Sequence, residues 1–234
     1  MNHKEHYRID AEAFDYWSAH HFTAAEKRRN QFTIKLANIR AGQKVLDIGS
    51  GRGWFSLHAA SLGAEVTAMD LSATNLARIK QTDNRVNTLL ADATEPLQTG
   101  QKYDLLVALE VLEHIVNPAE AVANWKAILK PKGRLLITVP YKEIIRYSLC
   151  IHCNAKTPFN AHLHSFDKDA LANLLKASGL RVRSLQPFSH KLLPLLRLDV
   201  ISQNLPLPIW CCLDKISRIT GDKYNYLAAI CSLA

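Results

Sequence analysis

Along the middle of the chain, short apolar runs alternate with stretches whose apolar residues recur every three or four positions. The runs are Lys44–Ile48, Glu65–Met69, Val86–Leu90, Tyr103–Leu109 and Arg134–Val139, each the length of a buried strand. Between them, Trp54–Leu62, Ala73–Gln81 and Pro118–Leu129 carry helical periodicity. Gly63 stands where a helix stop is expected, and Lys130-Pro131-Lys132-Gly133 reads as a turn before the fifth strand. Strands and helices in this rhythm are βαβ units, which predict a parallel sheet covered on both faces. Ahead of them, Tyr7 to Ala41 carries Phe14, Trp17, Phe22, Phe32, Ile34 and Leu36 and predicts one or two amphipathic helices.

Beyond Pro140 the rhythm changes. A loop rich in Cys and His leads to a predicted helix, Asp167–Ser178, and a strand, Arg181–Leu185. Pro194, Pro206 and Pro208 mark His190–Tyr224 as broken helix or loop, and Tyr226–Leu233 suits a last strand. No repeat, low-complexity tract or long linker interrupts the chain. A single domain over 1–234 is therefore expected, with N-terminal helices (1–40), an alternating strand–helix core (41–140) and a C-terminal part (141–234).

Composition narrows the class. At 234 residues and 48% hydrophobic content the chain can bury one substantial core, and 21% charged residues argues against global disorder. The net charge of +8 invites a nucleic-acid or anionic-membrane partner. However, the longest basic cluster is Lys27-Arg28-Arg29 and the other cations are scattered, so a solvated basic surface is expected and no nucleic-acid partner. No apolar stretch reaches the about 18 residues of a membrane span, and no secretory apolar region follows Met1. Five cysteines make an odd count, and the adjacent Cys211-Cys212 pair is too strained to bridge, so no disulfide framework and a cytoplasmic location are expected.

The chemistry starts at the end of the first strand. Val45-Leu46-Asp47-Ile48-Gly49-Ser50-Gly51-Arg52-Gly53 runs a strand into a glycine turn that opens a helix. Glycines let backbone approach a ligand, and amides at a helix start receive polar groups. The spacing is Gly-x-Gly-x-Gly, whereas the dinucleotide fingerprint places its third glycine one residue later. Asp70 ends the second strand, where a carboxylate can accept both hydroxyls of a ribose. Asp92 ends the third, positioned for an adenine amino group. All three features fall at the carboxyl ends of parallel strands, where open α/β sheets bind ligands.

Asp47–Gly53, Asp70, Asp92-Ala93, the segment Leu109-Glu110-Val111-Leu112-Glu113-His114 and the turn Leu129–Gly133 with its strand resemble, in order, the motifs of class I S-adenosylmethionine-dependent methyltransferases. The Glu-Val-Leu-Glu-His stretch is most similar to the branch of ubiquinone-biosynthesis O-methyltransferases. The resemblance covers about residues 41 to 140. It implies a doubly wound, mostly parallel seven-stranded α/β sheet of Rossmann-like methyltransferase type with an antiparallel last strand. It further implies S-adenosyl-L-methionine as cofactor. Gly49, Ser50, Gly51 and Gly53 would line its methionine part, with Asp47 steadying the turn. Asp70 would hold the ribose, Leu71 would lie against the adenine, and Asp92 and Ala93 would meet the adenine edge. The backbone at Leu109 and Glu110 would meet the methionyl amino group. Arg52 departs from the small residue usual in its slot.

Methyl transfer to a hydroxyl also needs a base or a metal. His114, after the fourth strand, is the candidate base, with packing or helix capping as its other role. Glu110, Glu113 and His114 together could take a divalent metal, as the resemblance suggests, or form an ordinary solvated helix start. Cys150-Ile151-His152-Cys153 followed by His162-Leu163-His164 offers the ligand types of a tetrahedral zinc site at Cys150, Cys153, His162 and His164. The competing reading is a substrate lid with incidental thiols. The apolar stretch Leu192–Trp210, with Lys191 and Arg197, suits either an acceptor cover with peripheral membrane contact or packing on the sheet.

The resemblance implies a methyltransferase acting on a small-molecule acceptor, expected at oxygen. An RNA or protein methyltransferase and a catalytically silent cofactor-binding regulator are the alternatives. Leu109–Leu112 stands where base-amino methyltransferases carry an Asn/Asp-Pro-Pro-aromatic motif, and the glycine spacing opposes a nicotinamide oxidoreductase.

Overall fold

A computed structural model of the protein describes residues 3–13, 23–195, 200 and 204–234. The expected Phe14, Trp17, Phe22 and Arg197 lie outside the described residues. Helices α1 (His3–Ala13) and α2 (Ala24–Ala37) come first. Thr23 and Glu26 form a reciprocal capping box at the start of α2, which satisfies two otherwise orphaned amides.

The sheet has seven strands in the order β3-β2-β1-β4-β5-β9-β8. These are β1 (Lys44–Ile48), β2 (Glu65–Asp70), β3 (Asn87–Leu90), β4 (Tyr103–Leu109), β5 (Leu129–Pro140), β8 (Leu180–His190) and β9 (Tyr224–Leu233). Contacts among the first five are parallel. The last strand, β9, is antiparallel, as expected, and inserts between β5 and β8.

Alternation along the strands divides the core. Val45, Val66 and Val107 face Phe55 and Ala59 of α3 (Trp54–Ser61) and Leu76 and Ile79 of α4 (Ala73–Thr82). Leu46, Ile48 and Leu106 face the other way, toward Trp125 of α5 (Pro118–Ala127) and Leu171 and Leu175 of α6 (Lys168–Ala177). Both faces are buried along the central strands β1, β4 and β5, which are apolar on both sides as a doubly wound sheet requires, whereas the edge strand β3 is largely exposed.

Several boundaries differ from the pattern-based expectation. Leu129 leaves the helix and pairs with Tyr103, and the next pair is Leu105 with Arg134. Residues 130–133 therefore bulge out between them, a turn held inside one strand. β8 continues to His190 because β9 pairs with it along its whole length. The Cys/His segment contains a small hairpin, β6 (Tyr147–Leu149) with β7 (Lys156–Pro158). The proline-rich stretch includes a short helix α7 (Leu192–Leu195) and a regular one, α8 (Leu207–Ile216). Pro206 precedes α8 and Pro208 falls in its first turn, where a missing N–H costs nothing.

Candidate active site

The turn after β1 is stitched to the end of β2. Ser50 N donates to Met69 O (2.8 Å) and Gly53 N to Ser50 O (2.8 Å). Gly53 sits at φ +67°, and a Cβ there would lie 2.4 Å from Ile79 Cγ1, so only glycine fits. Gly51 also has positive φ, +50°, but nothing lies within 4 Å of where its Cβ would be. Its amide donates to Asp70 Oδ2 (2.7 Å), and Ser72 N donates to Oδ1 (2.9 Å). Burial pushes the Asp70 carboxyl above its ordinary range. Asp47 is fully enclosed, accepts Ser56 Oγ–H at 2.7 Å, and is pushed up by burial to about 7. Ser50 Oγ is buried without a hydrogen-bond partner among the described residues.

Two cavities open on either side of this turn and share Gly49, Arg52 and Glu110. The larger, about 770 Å³, is lined by Gly51, Asp70, Leu71, Asp92, Ala93 and His114, with Tyr7 and Asp10 of α1 above. The smaller, about 450 Å³, is lined by Asp47, Ser50, Leu109 and Thr138, with Glu26, Arg29 and Thr33 of α2 across from them. Of the residues predicted to serve a cofactor, Gly53 alone lines neither cavity; it lies beneath the turn, against Ile79. Asp92 sits two residues past the end of β3 and accepts from Thr94 N (2.9 Å) and Thr94 Oγ1 (2.8 Å). Glu110 adopts φ +55°, a conformation that costs a non-glycine residue about 1–2 kcal/mol. It is held there by its amide to Thr138 O (3.0 Å) and by Thr138 Oγ1–H to Oε1 (2.7 Å).

Arg29 went unread in the sequence, where it looked like part of a surface cluster. Its guanidinium lies 5.1 Å from the Tyr226 ring centroid and donates to Tyr226 Oη at 3.4 Å. Its neighbour Arg28 turns inward and donates to Leu205 O at 2.6 Å. Only the helical phase of α2 separates the two, and no local motif marks it.

A second cluster forms around His114, in a turn of 3₁₀ helix, Leu112–His114. The Tyr7 hydroxyl meets His114 Nδ1, and burial keeps that phenol protonated. The His114 and His162 ring centroids are 4.7 Å apart, edge to face. His162 donates Nδ1–H to Glu143 Oε2 at 2.5 Å. Glu113 is wholly buried, and among the described residues neither carboxyl oxygen has a hydrogen-bond partner, with His114 Nε2 3.9 Å from Oε1. Desolvation first, then the nearby Glu110 carboxyl, raises it well above the usual carboxylate range. The backbone of the 141–166 loop is tied to this turn by Leu163 N to Glu113 O (2.8 Å).

This arrangement corrects both metal expectations. Cys150 and Cys153 are not grouped with His162 and His164. The thiols belong to the outer turn of the β6–β7 hairpin, while His164 donates Nε2–H inward to Ile115 O at 2.9 Å and His162 turns to Glu143. Among the described residues, one set of three metal-type ligands converges, with ligand atoms within 4.8 Å of one another: Glu113, His114 and His162. Glu110, expected in that set, is engaged by Thr138 instead. His162 takes its place because the loop ties to Glu113 bring it over the turn. Tyr7, Glu143 and Thr138 were likewise not singled out, since nothing local in the sequence joins them to His114 or Glu110.

A mostly parallel sheet with paired cavities at the carboxyl ends of its strands, either side of a glycine turn, defines a doubly wound α/β domain with its openings where such sheets bind ligands. The chain belongs to the methyltransferase domain family, whose model matches residues 16–185. Ubiquinone biosynthesis O-methyltransferase of Glaesserella parasuis serovar 5 (strain SH0165) is 35% identical over 119 residues, covering 47% of this chain and 50% of that protein. The chain thus spans about half the length of the curated relatives it matches. Among solved structures, the Burkholderia thailandensis 1,6-didemethyltoxoflavin-N1-methyltransferase, with bound 1,6-didemethyltoxoflavin and S-adenosylhomocysteine, is similar with a TM-score of 0.64. It is 19% identical and covers 99% of this chain and 87% of its own. The [4+2]-cyclase SpnF is similar at a TM-score of 0.65 and 17% identity, covering 93% of this chain and 86% of its own. These likenesses establish the fold, and one fold serves more than one reaction.

Proposed function

We propose that this chain, acting as a single domain, transfers a methyl group from S-adenosylmethionine to the oxygen of a small-molecule acceptor. The observation that carries the reading is the pair of cavities joined at Gly49, Arg52 and Glu110, with acidic strand ends in the larger and Arg29 in the smaller. The residues fit the cofactor. Ser50 Oγ is a buried polar atom lacking a partner, and the open space over Gly51 lets a ligand meet bare backbone. Asp70 would accept the ribose hydroxyls on lone pairs left over from its two amide bonds, with Leu71 against the base and Asp92-Ala93 at its edge. Gly49, Ser50 and the Leu109–Glu110 backbone would hold the methionyl end, with Asp47 behind them, and Arg29 and Arg52, which both line the smaller cavity, are cations placed for its carboxylate.

When bound, the sulfonium supplies an already activated methyl group. The protein's part is alignment, worth roughly 7–11 kcal/mol when complete, and management of the acceptor's proton. His114 is the residue for that proton, its ring fixed between Tyr7 and His162. A second reading is favoured by the orphaned Glu113 carboxyl: Glu113, His114 and His162 would hold a divalent cation that acidifies the acceptor hydroxyl.

Titration calorimetry with S-adenosylhomocysteine tests the cofactor half. Micromolar binding is expected, weakened about 100-fold in Asp70→Ala through loss of hydrogen bonds to a charged acceptor. Binding of NADH with no signal from S-adenosylhomocysteine would end the reading. A labelled-methyl screen against extract, split into small-molecule, RNA and protein fractions, distinguishes the acceptor classes. No transfer to any fraction favours the silent regulator.

A further inference from the structure

The helix α8 buries one apolar face and leaves a second apolar stripe exposed. Its inward positions are Trp210, Cys211 and Asp214, all buried. Asp214 is engaged by the amides of Ser189 (3.1 Å) and His190 (2.6 Å). The outward positions are Ile209 (48% exposed), Leu213 (37%) and Ile216 (59%), and Ile219 one turn on is 85% exposed. Steps of four, three and three put these residues on one helical stripe. A globular helix ordinarily buries such a stripe.

Cations flank it. Lys215 and Arg218 lie between the apolar positions, and Lys191 and Lys223 stand at the base of the segment that links β8 to β9, all four exposed. Among the described residues none of the four is paired with a carboxylate. Asp222, the acid nearest in sequence to Lys223, is taken by Tyr141 Oη–H (2.6 Å) and Lys142 Nζ (2.7 Å).

We propose that this face docks on an anionic lipid surface. The isoleucines and Leu213 enter the headgroup boundary, and the four cations meet the headgroups. Charge complementarity selects this occupant over a second copy of the chain, since a two-fold contact would set the same cations against one another. Docking is peripheral: no described helix is long and apolar enough to cross a membrane. α8 packs on α2, whose Arg29 lines the smaller cavity, so the lipid-facing layer lies one helix from the cavity assigned above to the methionyl end of the cofactor.

Co-sedimentation of the full chain with vesicles tests the proposal without any cofactor, so its failure leaves the methyl-transfer reading untouched. Vesicles of equal parts phosphatidylcholine and phosphatidylglycerol should bind about tenfold or more tightly than phosphatidylcholine alone, and high salt should erase the difference. Ile216→Asp with Ile219→Asp should abolish binding, and Lys215→Glu with Arg218→Glu should weaken it about tenfold or more. Because all four side chains are exposed, the melting temperature should hold in both variants. Equal binding to neutral and anionic vesicles, or no binding, overturns the proposal. So does light scattering in which the same variants dissolve a dimer while vesicle binding persists.

Discussion

The two sides of the candidate active site are built in different ways. On the cofactor side, each residue stands at the end of its own strand: Asp47 on β1, Asp70 on β2, Asp92 just past β3 and Leu109 on β4. The parallel sheet brings those ends together whatever the loops do. On the acceptor side, Tyr7, Glu113, His114, Glu143 and His162 come from three separate stretches of chain and meet only through tertiary contacts. The first side inherits its geometry from the sheet. The second depends on α1 and the 141–166 loop closing over one short turn, so it can change without disturbing the fold.

That contrast ranks the expected effects of substitution. The largest belongs to Gly53→Ala on the cofactor side. The new Cβ would need the left-handed region and would strike Ile79 at 2.4 Å, inside the core beneath the turn. A loss of about 3 kcal/mol or more is expected, from overpacking together with the backbone penalty. Chemical denaturation reads it directly. A Gly53→Ala protein of unchanged stability would mean the turn yields easily, and the cofactor side would be no more rigid than the acceptor side.

The next effect sharpens the comparison through pH. Burial raises Asp47 to about 7, against about 3.9 in an unfolded chain. Between those values the folded protein holds a proton that the unfolded chain has released, so stability falls as pH rises through that window. The contribution is fully present below about pH 4 and is lost as pH passes about 7, with a slope of at most about 1.4 kcal/mol per pH unit. Asp47→Asn keeps the size and the hydrogen bond to Ser56 while removing the charge. Denaturant titrations from pH 4 to 8 should therefore show a flatter profile in the variant. Parallel profiles would place the Asp47 carboxyl in a more solvated setting than the turn suggests.

How much was legible in the sequence follows the same division. Periodicity announced the strands because both faces are buried and each run is short and apolar, and glycine spacing announced the turn because left-handed angles demand glycine. The antiparallel β9 agreed with the expected sheet, while its place between β5 and β8 is read from the structure alone. Arg29 was not legible: Lys27, Arg28 and Arg29 look alike in sequence, yet one points to solvent, one to Leu205 O and one to a cavity. His162 drew notice for the wrong partners. Ligand types and spacing join it to Cys150 and Cys153, but the loop's bonds to Glu113 bring it to His114. Prolines in 190–224 suggested a broken chain, whereas Pro206 and Pro208 start a helix. Each miss is a case where long-range contact chose among local options of similar energy.

The smallest effect is expected where the sequence pointed most strongly to a metal. Cys150 is half-buried and Cys153 exposed in the turn of the β6–β7 hairpin, and the loop is anchored instead by His162 to Glu143 and His164 to Ile115. Removing both thiols, Cys150→Ser with Cys153→Ser, should shift stability by no more than about 0.5 kcal/mol, the range of ordinary surface changes. His162→Ala should act differently, since it removes a partner of Glu143 and a neighbour of His114. Metal content of protein purified without a histidine tag makes the comparison decisive. If the double serine variant loses a bound zinc and several kcal/mol with it, the hairpin closes on metal, and the acceptor side is stapled as firmly as the sheet. If only the Glu113, His114 or His162 variants change metal content, the chemistry belongs to the turn after β4 and the hairpin is a cover.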